Sequence, residues 1–192
     1  MRFMIMILSA AAMAWIPNAA DRAAFAESPA PDGHPEIVCG KPGPAWNARI
    51  PPDLYGGMVK CIEGNDYDSA VFYFAVAGTY IYYDSLRVTD ETARSAQTAL
   101  LQKAVANLDR TKRDSLMDAI QRHLGNADLL PEICTEVARV GVPQYVPRYI
   151  IRRGMNAEAG KFSEEDLVKG FDKINGWKNA MNGYLHCPSF GK

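Results

Sequence analysis

Residues 70–83 read AVFYFAVAGTYIYY, an uncharged run lying between Asp68 and Asp84. The fold turns on how this run is read. Its aromatic and β-branched residues would suit a pair of buried strands, because a continuous apolar stretch carries no period of its own. Its length and the alanines at 70, 75 and 77 favour a helix, and we expect one from about Tyr67 to Ser85, capped by Asn65 or Asp66. Upstream, Pro51 and Pro52 sit where proline opens a helix, since the missing N–H is unpaired there anyway. That helix should run to about Glu63, before Gly64.

Downstream the helical period is plainer. Ala93, Ala96, Leu100, Leu101, Ala104, Val105 and Leu108 recur mostly at steps of three and four, one apolar stripe on a helix begun near Asp90. Thr111 with Asp114 resembles a capping box for a helix with the face Leu116, Met117, Ile120 and Leu124, ended by Gly125. Leu130, Ile133, Val137 and Val140 form a shorter stripe before Gly141. Pro147 can start a helix through Arg153, stopped by Gly154. Ser163 with Asp166 reads as the start of a last helix, with Phe162 and Leu167 as a hydrophobic staple and Leu167, Phe171, Ile174, Met181 and Leu185 facing inward. The expected fold is all-α, a disulfide-stapled helical bundle or irregular helical-hairpin array of about six to seven helices.

Composition bounds the function. The 192 residues are 48% apolar and 22% charged with formal net charge −1, enough to bury one sizeable core. The charge balance argues against a general nucleic-acid binder, which is usually basic. Residues 1–26 read as a secretory signal peptide. Arg2 precedes the apolar run Phe3–Ile16, and Ala24-Phe25-Ala26 is a small-residue cleavage site. Fourteen residues fall short of the roughly 20 that a membrane span needs, so no stable span is expected after cleavage. Residues 27–44 hold eight Pro or Gly in eighteen positions, an extended lead-in pinned late by Cys39. Residues 45–192 would form a single helical domain.

All four cysteines, Cys39, Cys61, Cys134 and Cys187, follow the cleavage site. An even count in an exported chain suggests two disulfides. Of three pairings we favour Cys39–Cys61 with Cys134–Cys187, because each joins segments expected to pack together. No C-x-x-C or H-x-x-x-H spacing supports zinc, and neither a metal nor a cofactor is expected.

From about Leu54 to Tyr83 the chain resembles one tetratricopeptide-like helical hairpin. Tyr67, Ala70, Phe74 and Ala77 match that family's second-helix pattern around the turn GNDYD. Leu54 fits the first helix, whereas Met58 stands where Gly is usual and Cys61 where an aromatic is common. The likeness spans about 30 of the 192 residues, without a second copy at the family's period of about 34. It implies a protein- or peptide-binding scaffold.

Catalytic signatures are sparse. There is no G-x-S-x-G elbow in a convincing setting and no P-loop. His186 beside Cys187 reads as a surface histidine next to a disulfide, and His123 as a helix C-terminal cation; His34 falls in the lead-in. Glu63, Asp84, Glu132 and Glu136 are the carboxylates to weigh for an exported glycan hydrolase. Asp84 precedes Arg87 by three residues and reads more simply as an ion pair. The most suggestive cluster is QYVPRYIIRRGM, with Tyr145, Arg148, Tyr149, Arg152 and Arg153. On a helix Arg148, Tyr149 and Arg152 share a face, and Tyr and Arg dominate interface hot spots. The competing reading pairs these arginines with Glu132 and Glu136 and uses the tyrosines to fill gaps between helices. Tyr80, Tyr82 and Tyr83 form a second possible contact surface. The expected role is binding another protein in the periplasm or after full secretion, as an adaptor or a toxin-neutralising, immunity-type inhibitor; a small hydrolase acting on cell-wall glycan is the alternative. The sequence leaves oligomeric state open.

Overall fold

In a computed structural model, residues 37–151 and 162–188 are described. The expected signal peptide and most of the lead-in lie outside the described residues, as do Arg152, Arg153 and Gly154. Seven α-helices are present among the described residues: α1 Pro51–Glu63, α2 Tyr67–Arg87, α3 Ala96–Val105, α4 Arg110–Leu124, α5 Leu130–Val140, α6 Arg148–Ile151 and α7 Lys173–Leu185. Short 3₁₀ turns occupy Pro44–Ala48, Glu91–Ser95 and Glu164–Asp166. The fold is all-α.

The aromatic run is one helix. Asp66 caps it, its carboxylate accepting from the Ser69 N–H at 3.0 Å, while Asn65 makes the turn from α1 at φ 60°. Helix α2 is buried nearly all round because α1, α3, α4, α5 and α7 all pack against it. A helix surrounded in this way needs no polar stripe, which is why the run lacks a clear period. Two glycines allow the closest approaches. A Cβ on Gly57 would lie 2.5 Å from Cε1 of Tyr73, and one on Gly78 would lie 2.0 Å from the hydroxyl of Tyr184. Tyr73 is itself fixed. Trp46 stacks on it with ring centroids 4.0 Å apart, and its hydroxyl donates to the Val38 carbonyl at 2.7 Å.

The disulfides are Cys39–Cys61 and Cys134–Cys187, with Cα separations of 5.2 and 5.8 Å. The first ties the end of the lead-in to α1; the second ties α5 to Cys187, two residues beyond α7. The lead-in is also held by Lys41, paired with Glu132 at 2.8 Å, and by Arg139, which donates to the Pro42 carbonyl.

Several boundaries differ from the sequence reading. The expected helix near Asp90 begins as a 3₁₀ turn, because the Asp90 carboxylate takes the Thr92 N–H at 2.9 Å. Helix α4 is capped by Asp109, which accepts from the Lys112 N–H at 2.8 Å, two residues before the expected Thr111. Met117, expected on the buried face, is 59% exposed, and Ala119 is buried instead. The largest correction concerns the last helix. Ser163 and Asp166 do form a capping box, but it closes only the 3₁₀ turn Glu164–Asp166. Leu167 then becomes extended and makes an antiparallel bridge to Val88, and Gly170 adopts φ 69°. The helix starts afresh at Lys173, where Asp172 accepts from the N–H groups of Ile174 and Asn175, each at 3.0 Å. Ile174 consequently faces solvent at 69% exposure.

Candidate functional site

The last turn of α2 carries a carboxylate that the apolar core cannot leave unpaired. Asp84 is fully buried. One of its oxygens pairs with the Arg87 guanidinium, at 2.7 and 2.8 Å. The other accepts from the hydroxyls of Tyr145 at 2.8 Å and Tyr149 at 2.6 Å. Arg87 also donates to the Tyr145 carbonyl at 2.9 Å. Burial pushes the Asp84 carboxyl upward in pKa, opposed by Arg87 and by the two hydroxyls. Burial, with Asp84 alongside, holds both tyrosine hydroxyls well above their ordinary value and therefore protonated as donors.

This knot fastens the Tyr145–Tyr149 segment to α2. With both tyrosines turned inward, Val146 and Arg148 point out. Val146 is 43% exposed, and Arg148 lies over the Phe162 ring at 5.2 Å. A second strand of chain is fastened to the same place. The Val168 N–H donates to the Arg87 carbonyl at 2.9 Å, and the Thr89 N–H to the Asp166 carbonyl at 3.0 Å. Between the two attached segments lies a groove of about 770 Å³, walled by Val146, Phe162, Leu167 and Val168, with Glu164, Glu165 and Lys169 among its lining. Both walls are therefore anchored on residues 84–89, one by side chains and the other by backbone.

The candidate contact residues separate. Arg148 is exposed and lies over Phe162, which lines the groove. Tyr145 and Tyr149 spend their hydroxyls on Asp84, which corrects the expectation that Tyr149 and Arg148 share an outer face. Tyr83 is 1% exposed, edge-on to Phe171 and Trp177. Tyr80 is buried and donates to the Gly141 carbonyl at 2.9 Å. Neither Tyr80 nor Tyr83 belongs to a surface; only Tyr82 of that trio is half-buried. Arg152 and Arg153 lie outside the described residues. Glu132 and Glu136 pair with Lys41 and Arg139 rather than with Arg148. Asp84–Arg87 is the ion pair its spacing suggested, and the tyrosines do fill gaps between helices. His123 closes α4 by reaching Asp68 at 2.9 Å, and His186 ends α7 at φ 58°.

Sequence reasoning did not find Val146 and Val168. Val146 lies between Tyr145 and Pro147 and Val168 follows Leu167, and neither belongs to a period that would mark it as exposed. Phe162 and Leu167 were visible, but as a staple.

Among the described residues, no group of three or more His, Cys, Asp or Glu is arranged to hold a metal, and no helix is long and apolar enough to cross a membrane. The disulfides indicate an oxidising compartment. No protein-family model, curated protein or solved structure matches the chain. The tetratricopeptide likeness thus rests on the single α1–α2 hairpin.

Proposed function

We propose that this chain is an exported helical protein that acts by binding a partner protein, as an adaptor or a toxin-neutralising, immunity-type inhibitor. The observation that carries this reading is the groove beside Val146. Of the five large apolar side chains exposed among the described residues, Val146 and Val168 line this depression. Clustered apolar exposure with a polar rim is the usual mark of a contact site. Its walls are held by hydrogen bonds to one helix end, so a partner would meet a preformed surface and lose little free energy in ordering it. The N-terminal sequence and the two disulfides support export.

The test is capture from the native exported fraction by the full chain and by its Val168→Asp variant. The reading predicts a discrete partner, with recovery reduced about tenfold or more by the variant, as for a contact at the centre of an interface. The melting temperature should fall only slightly, because Val168 is partly exposed and lies outside the buried core. Equal recovery by both proteins, or no partner at all, contradicts it.

A further inference from the structure

We infer that the groove takes a cationic amphipathic segment of the partner, placing one large apolar side chain between Val146 and Val168 and a Lys or Arg against Glu164 and Glu165. The inference rests on the partner-binding reading and adds the chemistry of what is bound.

The walls decide the apolar half. Val146, Phe162, Leu167 and Val168 present hydrocarbon, and a buried aliphatic or aromatic side chain gains most from such a surface. The rim decides the charge. Glu164 and Glu165 are adjacent, exposed and part of the groove lining. Among the described residues neither carboxylate has a cationic partner. Several carboxylates elsewhere do have cations: Glu132 with Lys41, Glu136 with Arg139, Asp84 with Arg87 and Asp68 with Arg122. The third acid of the turn, Asp166, is engaged by the Ser163 N–H at 2.7 Å. Two acids therefore remain to one base, Lys169, among the lining residues. The other nearby base, Arg148, lies on the Phe162 ring. Among the described residues, an arriving cation would find two carboxylates with no cationic partner to displace.

These pairs would be rim contacts, weak singly and sensitive to salt. Two of them together account for about a tenfold change in affinity.

The experiment selects a displayed library of random dodecapeptides on the immobilised full chain. Counter-tests use Glu164→Gln with Glu165→Gln, and separately Val168→Asp. Both sets of substitutions fall on exposed side chains, and melting temperatures confirm that the variants are folded. The inference predicts enrichment of a large apolar residue next to Lys or Arg. Selected peptides should bind about tenfold more weakly to the double Gln variant and less tightly in high salt. Enrichment of acidic residues, or of apolar residues without charge preference, overturns it. So does binding that ignores the Gln substitutions, or the absence of any enrichment. Where peptides are enriched but fail these expectations, Val168→Asp tells the two failures apart. If it abolishes binding, the groove is a contact site for another chemistry; if it leaves binding intact, the reading of the groove itself fails. Concentration-dependent self-association that Val168→Asp removes would assign the groove to a second copy of this chain, and also overturns the inference.

Discussion

Between Pro51 and Arg87 the chain makes two long helices whose contact is almost wholly apolar, with Gly57 admitting a tyrosine ring against the backbone. The described residues between Tyr145 and Asp172 make a four-residue helix and a three-residue 3₁₀ turn. Beyond the burial of Ile150 and Ile151, they are held by two tyrosine hydroxyls on Asp84, the Arg87 bond to the Tyr145 carbonyl and the two backbone hydrogen bonds that make the bridge between Val88 and Leu167. Apolar packing fixes a segment by covering it. A few directed polar bonds can fix a segment while leaving its outer side bare. That difference explains why the exposed apolar groove lies in the second region and not the first.

The sharpest way to break the comparison is Asp84→Ala. Arg87 and both tyrosine hydroxyls would lose their acceptor in a buried setting, and removing one member of such a pair costs about 3–5 kcal/mol. Hydrogen exchange should rise first in the 145–151 and 162–168 segments, with the α1–α2 amides following only on global unfolding. Simultaneous loss of protection in both regions would show them to be one cooperative unit.

Replacing Cys134 and Cys187 together by Ala should cost about 2–4 kcal/mol, read as a lower denaturation midpoint. It should also free the end of α7 while leaving the hairpin's local protection intact. In the first region, Gly57→Ala sets a methyl group against the fixed Tyr73 ring and should destabilise by about 1–3 kcal/mol. If it instead stabilised through helix propensity, the close approach would not be a constraint.

The smallest expected effect is at Asp172. Hydrogen bonds from the backbone of Asn175 and Ile174 hold its carboxyl below the ordinary pKa. A depressed folded-state pKa contributes stability above the ordinary carboxylate value, and this is lost as pH falls through the folded value. Asp172→Ala should therefore lower the melting temperature slightly near neutrality and converge with the parent chain in acid.

What could be read in advance follows the same division. The span of α1, the cap at Asp66, the end of α5 at Gly141 and both disulfide pairs were legible, because proline, glycine, capping carboxylates and apolar stripes act locally. The helix expected from Ser163 was not. Its capping box is real, but a distant partner, Val88, pulls Leu167 into extended conformation, and no local pattern announces that. The Tyr145–Arg153 cluster attracted notice for its composition, yet which of its side chains face outward depends on Asp84, some sixty residues away. The Asp84–Arg87 spacing was visible; the two tyrosines that complete the knot could not be attached to it from sequence. The groove was illegible for the same reason, since its walls meet only through residues 84–89.

The measurement that bears most directly on the central claim is photo-crosslinking from single positions in the full chain, exposed to the native exported fraction. Position 168, on the groove, is compared with position 117, where Met117 on α4 is more exposed than Val168. The account predicts a discrete crosslinked partner from position 168 and none from position 117. Crosslinking from position 117 alone, or from neither, would contradict it.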